Sequence, residues 1–443
     1  MQIEIEKIVF CFLSVVFNGV QTVNGIGVPG NVYYPNFYQD QQFNQIKTAL
    51  GRLENAPELV KDWPDPSVKL GQVAGVTLDN NGNLVAFHRG PNVWDQSTFS
   101  ERNVYLALAD PPISMPTIIV FNETGQIIDQ WGQNFFHMPH GITIDSKGNT
   151  WVTDVGMHQV FKFTPTDRIT PSLTLGEKFV PGSDSNHFCK PSAVAVMENG
   201  EFFVSDGYCN TRIIKYSAEG KRILEWGKPG RFGSNSPYSF NVPHALTLAE
   251  DRGLICVADR ERGRVGCFRT DNGTYVTGFS NWLLGGRLFS VSYTPVHGGR
   301  LYVVNGPLSR VPVRGYVIDF TSGRLIQSFA PDNDFSNPHD IVVSRDGATV
   351  YVAEIHPYRV YKFYDESLAN ETKFEVKTTV AVPTKPTAVV EWERVPEWGW
   401  AGAARGGAAG AAGAALLVAA AAALLRARAR GNSDKQPLMS DVD

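Results

Sequence analysis

Apolar and polar residues alternate in short runs through the middle of the chain, in a unit that recurs about every fifty residues. In one unit, residues 141–144 and 150–154 are strand-like, and residues 145–149 between them read Asp-Ser-Lys-Gly-Asn. A further strand-like run follows at residues 159–163. Alternation with a period of two predicts half-buried strands, and clusters of Asp, Asn and Gly predict the turns that join them. Each unit is therefore predicted to be a small antiparallel sheet.

Six such units can be recognised, and their spacing is regular. Their first strands begin near Gly75, His140, Ser192, His244, Phe289 and His339. The step is 52 residues from His140 to Ser192 and again to His244, while the first unit carries an insertion. Short strands repeated at this period predict an all-β, six-bladed β-propeller with NHL-like repeats. We place it at residues 28–393, with a short helix at 43–54 and a closing outer strand at 378–392.

Composition is consistent with one large folded domain and excludes some functions. The chain has 443 residues, of which 43% are hydrophobic. Its 40 basic and 44 acidic residues nearly balance, with a net charge of −4 and no basic block in the central part. Nucleic acid is therefore not an expected partner.

Both ends of the chain differ from the repeats. Residues 1–24 resemble a signal peptide, with Lys7 before an apolar run, although a buried N-terminal strand is the alternative. After a linker at 394–405, residues 406–425 are uncharged and long enough to span a bilayer. Arginines at 426, 428 and 430 would keep the tail, 426–443, in the cytoplasm. These features predict a single-pass type I protein of the secretory pathway or secretory granule membrane, with a lumenal or extracellular catalytic domain. A disordered Ala/Gly tail is the alternative.

The cysteines and the sequons agree with secretion. Four of the five cysteines lie in the repeats, where proximity favours the pairs Cys189–Cys209 and Cys256–Cys267 among three connectivities. The alternative is four reduced cysteines, which oxidising export disfavours. Asn122, Asn272 and Asn370 begin glycosylation sequons.

Three Pro-His phrases suggest a metal site. They end at His140, His244 and His339, and they open units two, four and six. Inner strands of alternate blades lie about 120° apart around a six-bladed ring, so the three imidazoles would point at one axial spot. Three nitrogen ligands with open positions are typical of catalytic zinc. The alternative is that Pro-His merely marks the start of a strand and has no role in binding, as Pro191-Ser192 marks it in unit three.

A second set of residues is expected at the same mouth of the propeller. Arg89, Tyr208 and Arg260 directly follow the second strands of units one, three and four, which return to the side where the first strands begin. Two arginines would attract an anionic substrate, such as a carboxylate, and would favour a tyrosine phenolate that acts as a base. In isolation, residues in such turns are usually solvated or packing residues.

Several motifs resemble those of the peptidyl-α-hydroxyglycine α-amidating lyases. They are residues 140–145 (His-Gly-Ile-Thr-Ile-Asp), 186–191 (Asn-His-Phe-Cys-Lys-Pro), 204–210 (Val-Ser-Asp-Gly-Tyr-Cys-Asn), 242–244, 256–261 (Cys-Val-Ala-Asp-Arg-Glu) and 338–340. The resemblance extends over about residues 30–370. It implies a lyase that forms a peptide amide and glyoxylate in the maturation of neuropeptides and peptide hormones.

The resemblance also implies particular roles. His140, His244 and His339 would bind zinc, Tyr208 would remove the hydroxyl proton, Arg260 would support Tyr208, and Arg89 would hold the substrate. A structural calcium would be bound by the carbonyls of Val76 and Ile142 and by the Asp340 side chain. Asn337 departs from the pattern, which has Met at that position. Because no copper monooxygenase domain precedes the repeats, a separate monooxygenase would supply the hydroxylated substrate.

Two other functions compete with this one. A calcium-dependent lactonase would also be a six-bladed propeller, but Glu, Asp and Asn are its usual ligands, so three axial histidines argue against it. A non-enzymatic binding propeller would not need a tyrosine and two arginines beside the histidines.

Overall fold

Six antiparallel four-stranded sheets form the described part of the chain. The computed structural model describes residues 35–230, 235–307 and 311–371, except for the side chains of 35–41 and 370–371. The first strand of each sheet contacts the first strands of the sheets before and after it, and the last sheet contacts the first. The sheets therefore close into a ring, which confirms the predicted six-bladed β-propeller.

The strands follow one another in chain order within each blade, except in the last. Blade 1 contains β2 to β5: Val73–Leu78, Leu84–His88, Ile118–Phe121 and Ile127–Trp131. Blade 2 contains β6 to β9: Pro139–Ile144, Thr150–Asp154, Gln159–Phe163 and Leu173–Leu175. Blade 3 contains β10 to β13: Pro191–Val196, Phe202–Asp206, Arg212–Tyr216 and Arg222–Trp226. A small parallel pair follows, β14 (Lys228–Pro229) with β15 (Ser239–Phe240).

The remaining blades repeat the pattern. Blade 4 contains β16 to β19: Pro243–Ala249, Leu254–Asp259, Arg264–Arg269 and Tyr275–Ser280. Blade 5 contains β20 to β23: Leu288–Thr294, Arg300–Asn305, Gly315–Asp319 and Leu325–Phe329. Blade 6 contains β24 to β26, Asn337–Val343, Thr349–His356 and Arg359–Tyr364, together with β1, Glu58–Leu59.

The closure of blade 6 corrects one prediction. Its outer strand is β1, which pairs antiparallel with β26 so that Glu58 lies opposite Tyr364. The outer strand therefore comes from the N-terminal side of the repeats rather than from residues 378–392, which lie outside the described residues. A two-residue strand is too short to show an alternation of apolar and polar residues, so no periodic pattern predicts it.

Burial explains why the inner strands are so apolar. The second strands β3, β7, β11 and β17 are buried at every position, because neighbouring blades cover both faces. Outer strands such as β5 and β13 are largely exposed. In the turn between β2 and β3, Asp79 Oδ1 accepts hydrogen bonds from the N–H groups of Asn81 (2.9 Å) and Asn83 (2.8 Å). This use of the aspartate explains the Asp-Asn-Asn-Gly sequence.

Buried carboxylates at the ends of second strands fix the start of the first strands. They are Asp154, Asp206, Asp259 and Glu354. Asp154 accepts a hydrogen bond from the N–H of Met138, and Glu354 accepts one from the N–H of Asn337, both at 2.9 Å. Both donors stand two residues before a histidine of a Pro-His phrase. These carboxylates thus fix the backbone from which two of the three histidines project.

In blade 1 the corresponding residue is His88, and it makes stability depend on pH. His88 is fully buried, and its Nδ1 accepts hydrogen bonds from the N–H groups of Gly71 and Gly90, each at 3.1 Å. Burial lowers the pKa of His88 from 6.5 to about 4. Below pH 6.5 His88 becomes protonated in the unfolded chain but stays neutral in the folded chain until about pH 4. The free energy of unfolding therefore falls as the pH falls.

We expect His88→Asn to flatten this dependence. Asparagine retains an acceptor in place of Nδ1 and occurs at the matching position of blade 5, Asn305. Between pH 6.5 and about pH 5, His88 should contribute a loss of roughly 2 kcal/mol, which the variant lacks. Urea unfolding at the two pH values measures this difference. If the free energy of unfolding changed equally between the two pH values in the variant and in the parent chain, the assignment to His88 would be wrong.

In the described residues one α-helix precedes the strands in the sequence and another follows them. α1, Pro35–Leu50, replaces the predicted helix at 43–54: it begins earlier, at a proline suited to a first turn, and ends before Gly51. α2 is Glu366–Glu371. The chain divides into two units, one ending at Ala49 and one beginning at Leu50.

The predicted signal peptide, linker, membrane span and tail lie outside the described residues. Within the residues that are described, no helix has the length and apolar character needed to cross a membrane.

Candidate metal centre

The structure brings the three histidines of the Pro-His phrases together. They are His140 of β6, His244 of β16 and His339 of β24, all buried. One ring nitrogen from each lies within 4.8 Å of those of the other two. A role of Pro-His in starting a strand does not by itself explain this convergence, because the three residues come from blades 2, 4 and 6.

Each imidazole is oriented by a backbone carbonyl of the following blade. The Nδ1 atoms lie 2.8 Å from Ser192 O for His140, 2.7 Å from Phe289 O for His244 and 2.7 Å from Ala74 O for His339. Because a carbonyl oxygen can only accept, each Nδ1 must donate its proton. Each neutral ring then presents a lone pair at Nε2, which is the form that binds a metal.

A glycine allows this arrangement. A Cβ on Gly141 would lie 2.4 Å from Ser192 O, the same oxygen that His140 contacts. Any other residue would therefore push blades 2 and 3 apart at the point where His140 is oriented.

The Tyr208 hydroxyl completes the inner part of the site. Its oxygen lies 2.8 Å from Nε2 of His140 and 2.9 Å from Nε2 of His244. A neutral hydroxyl has one proton and can donate it to only one of two lone pairs. At the second histidine, the lone pair of the phenol oxygen would face the lone pair of Nε2, which is unfavourable unless a positive charge lies near them. The donor set therefore fits a cation that the three Nε2 atoms would hold, with the phenol oxygen beside it.

Arg260 lies against the phenol. Its Nη1 donates to the Tyr208 oxygen at 3.4 Å, and its guanidinium carbon is 5.0 Å from the centre of the Tyr208 ring. Glu261 holds Arg260 in place: Oε1 accepts from Arg260 Nε at 2.9 Å and from Arg287 Nη2 at 2.6 Å. Although burial alone would raise it, these two arginines keep the pKa of Glu261 below its ordinary value.

Arg89 approaches from blade 1 and is fully buried. Its Nε donates to Pro139 O at 3.0 Å, directly before His140, and its Nη1 donates to Gln72 Oε1 at 2.8 Å. Arg89, Tyr208 and Arg260 therefore lie around the histidine cluster at one end of the propeller, as the sequence predicted.

Both predicted disulfide bridges are present. Cys189–Cys209 joins the residue that follows Tyr208 to the start of blade 3. Cys256–Cys267 links directly opposed residues of β17 and β18, the strands on either side of the turn that carries Arg260. Such bridges typically contribute about 3 kcal/mol and restrict the segments they join.

The residues named for calcium line the same cavity as the three histidines. Val76, Ile142 and Asp340 contribute to this cavity of about 230 Å³, and so do His140, His244 and His339. Asp340 Oδ2 accepts a hydrogen bond from the N–H of Val76 at 2.8 Å, and Oδ1 accepts one from Ser290 Oγ at 2.6 Å. The structure thus brings these positions together, and calcium there stays a prediction.

The remaining predicted positions vary in surroundings. Asn272 is exposed, Asn122 is half-buried in its own turn, and the side chain of Asn370 lies outside the described part. Asn337 is held through its backbone by Glu354. Glycosylation at the three sequons stays a prediction.

Several residues around the site do not belong to any pattern in the sequence and were not predicted. Trp94 lies between Arg89 and Tyr208, Lys190 is fully buried beside it, and Glu261 and Arg287 form the support of Arg260. The insertion in the first unit could have pointed to Trp94, because the strands of the blade do not need this extra segment.

Fold and site together define a class of protein: an NHL-type six-bladed propeller built around an axial three-histidine centre. The NHL repeat model matches residues 136–163 and 240–268. These segments include the first Pro-His phrase and most of the unit that begins at His244.

Relatives identify the family within this class. The chain is 46% identical to peptidyl-alpha-hydroxyglycine alpha-amidating lyase 1 of Drosophila melanogaster, covering 79% of this chain and 68% of the relative. It is 43% identical to lyase 2 of the same species, covering 69% and 75%. Peptidyl-glycine alpha-amidating monooxygenase of Mus musculus is 44% identical over 74% of this chain, which spans 34% of that protein. The chain belongs to the peptidyl-α-hydroxyglycine α-amidating lyases.

Proposed function

We propose that this chain converts a peptidyl-α-hydroxyglycine into a C-terminally amidated peptide and glyoxylate, with zinc held by His140, His244 and His339. The observation that carries the proposal is the position of the Tyr208 oxygen, within 3 Å of two of the three histidines. A base at this point reaches the α-hydroxyl of a substrate that lies over the histidine cluster. Metal-assisted proton removal is the chemistry that this arrangement suits best.

The reaction needs one proton to move from oxygen to nitrogen. Tyr208, as the phenolate, takes the proton of the α-hydroxyl. The electron pair of that O–H bond forms the carbonyl of glyoxylate, and the C–N bond breaks with its pair on the amide nitrogen. That nitrogen then takes up a proton, for which Tyr208 is the nearest placed donor. Zinc bound at the three histidines would supply a Lewis acid beside these oxygens.

The arginines favour this chemistry by their charge. Arg260 contacts the Tyr208 hydroxyl and stabilises its ionised form. Arg89 is proposed to hold the substrate carboxylate, since an arginine binds carboxylates through paired N–H donors. Its own hydrogen bonds to Pro139 and Gln72 fix the guanidinium before substrate arrives.

The proposed reaction also indicates where the substrate would come from and what the products would be. The hydroxylated substrate would come from a separate peptidylglycine monooxygenase, and the products would be neuropeptide or peptide-hormone amides. Two disulfides support a secretory compartment. We further propose the type I membrane anchor at residues 406–425 and a structural calcium at Val76, Ile142 and Asp340.

The test is to incubate the purified chain with a peptidyl-α-hydroxyglycine and to follow both products by mass spectrometry. We expect peptide amide and glyoxylate in equal amounts, well above the rate without protein. A lactone offered in parallel addresses the competing hydrolase function. Lactone hydrolysis without glyoxylate would contradict the proposal, and so would no turnover of either compound.

A further inference from the structure

The insertion of blade 1 places an aromatic cluster beside the site. It runs between β3, which ends at His88, and β4, which begins at Ile118. Trp94, Phe99 and Tyr105 of this insertion pack together, with Trp94 and Phe99 5.3 Å apart between ring centres. Tyr208 packs on the same cluster. The insertion therefore contributes to the site from a segment that no sheet of the propeller requires.

Trp94 is the member of this cluster that contacts the functional residues directly. Its side chain is 2% exposed. Its ring centre lies 4.7 Å from that of Tyr208, 6.1 Å from that of His140 and 5.1 Å from the Arg89 guanidinium carbon. One indole thus joins the tyrosine of blade 3, a histidine of blade 2 and the arginine of blade 1.

The backbone of Trp94 is fixed through the same residue that fixes Arg89. Gln72 Oε1 accepts hydrogen bonds from the N–H of Trp94 at 2.9 Å and from Arg89 Nη1 at 2.8 Å. Gln72 is itself buried. Because the carbonyl oxygen of one amide holds both residues, Trp94 and Arg89 keep a constant relative position.

The indole makes its contacts through its face rather than through its N–H group. Nε1 is buried and has no hydrogen-bond acceptor among the residues that the structure describes, which costs free energy. Lys190 Nζ lies 5.6 Å from the indole centre and 4.4 Å from the Phe99 centre. The π faces of this cluster therefore hold two cations, Arg89 and Lys190, beside the phenol.

We propose that Trp94 is a positioning residue for the lyase reaction, and that it holds the Tyr208 hydroxyl against His140 and His244. This inference rests on the proposed function. Tyr208 lies in the turn after β11 and packs against both Arg260 and Trp94. Removal of the indole would leave a space on one side, into which the phenol ring can tilt away from the histidines.

The experiment compares Trp94→Leu and Trp94→Phe with the parent chain. A displacement of about 1 Å can cost roughly 100-fold in rate, so we expect kcat of Trp94→Leu to fall about 100-fold, with a much smaller rise in KM. Trp94→Phe keeps an aromatic face and should recover about tenfold of that loss. A crystal structure of Trp94→Leu should place the Tyr208 oxygen beyond about 3.5 Å from at least one Nε2 atom.

Trp131→Leu is the matched control. Trp131 is 8% exposed and also packs on a guanidinium, that of Arg168 at 5.5 Å, but it stands on the outer strand of blade 1. Its loss should lower the melting temperature and leave kcat within about twofold, since its hydrophobic cluster includes none of the three histidines, Tyr208 or the two arginines.

The outcomes separate this inference from the proposed function. An inactive parent chain would refute the lyase function, and the Tyr208 distances in the variant structure would still decide the role of Trp94. Unchanged distances, or a kcat like that of Trp131→Leu, would overturn the positioning role. If Trp94→Leu does not fold, Trp94→Phe is decisive: parental kcat and parental distances in that variant would overturn it.

Discussion

Tyr208→Phe is expected to lower kcat by roughly 10² to 10⁴-fold, the usual contribution of a general base, while the chain keeps its metal. The substitution removes one oxygen atom that lies 2.8 Å from His140 Nε2 and 2.9 Å from His244 Nε2. The three histidines remain, each oriented by its own backbone carbonyl. Steady-state glyoxylate release and metal analysis of the same preparation measure the two effects.

Tyr316→Phe is the control for this prediction. Tyr316 is a fully buried tyrosine of blade 5 whose hydroxyl has no hydrogen-bond partner in the described part of the chain. Its variant should keep parental kcat and at least parental stability, because no hydrogen bond is lost. If Tyr208→Phe lost the metal together with activity, Tyr208 would be a ligand first, and the role of base would be wrong.

His244→Ala is expected to abolish both metal retention and turnover. Loss of a residue that merely supports a ligand costs about 10- to 100-fold in metal affinity, so loss of a ligand should cost more than about 100-fold. After dialysis, elemental analysis should find less than about a tenth of the parental metal. The propeller should stay folded, because its core lies between the blades rather than at this centre.

His297→Asn is the matched control for the histidine variant. His297 is exposed in the turn between β20 and β21, and its φ of 49° is one that asparagine tolerates. This variant should keep metal and activity. Equal loss in both variants would mean that general destabilisation, and not ligand removal, explains the effect.

The histidine centre depends on closure of the ring. Each imidazole is oriented by a carbonyl of the next blade, and for His339 of blade 6 that carbonyl belongs to Ala74 of blade 1. The N-terminal strand β1 completes blade 6 and so connects the two ends of the propeller. The site is therefore a property of the closed propeller, since no single blade contains both a histidine and the group that orients it.

The sequence predicted the parts of this site that repeat. Period and strand alternation located His140, His244 and His339 on alternate blades, and Arg89, Tyr208 and Arg260 after second strands, because every blade uses the same register. The outer strand of blade 6 was assigned wrongly, since β1 has only two residues and no alternation pattern.

Residues outside the repeating register escaped prediction for a physical reason. Trp94 reaches Tyr208 through a loop whose path no periodicity describes. Glu261 and Arg287 meet across the gap between blades 4 and 5, which depends on side-chain packing. The carbonyl groups that orient the histidines are backbone atoms, so the residue types at these positions do not reveal them.

The decisive experiment on the three-histidine centre follows glyoxylate release from a peptidyl-α-hydroxyglycine after removal of metal with a chelator and stepwise return of zinc. We expect release to fall to the rate without protein and to return in proportion to zinc, up to about one ion per chain in the parent and not at all in His244→Ala. Full activity in the metal-free chain, or equal restoration in His244→Ala, would contradict it.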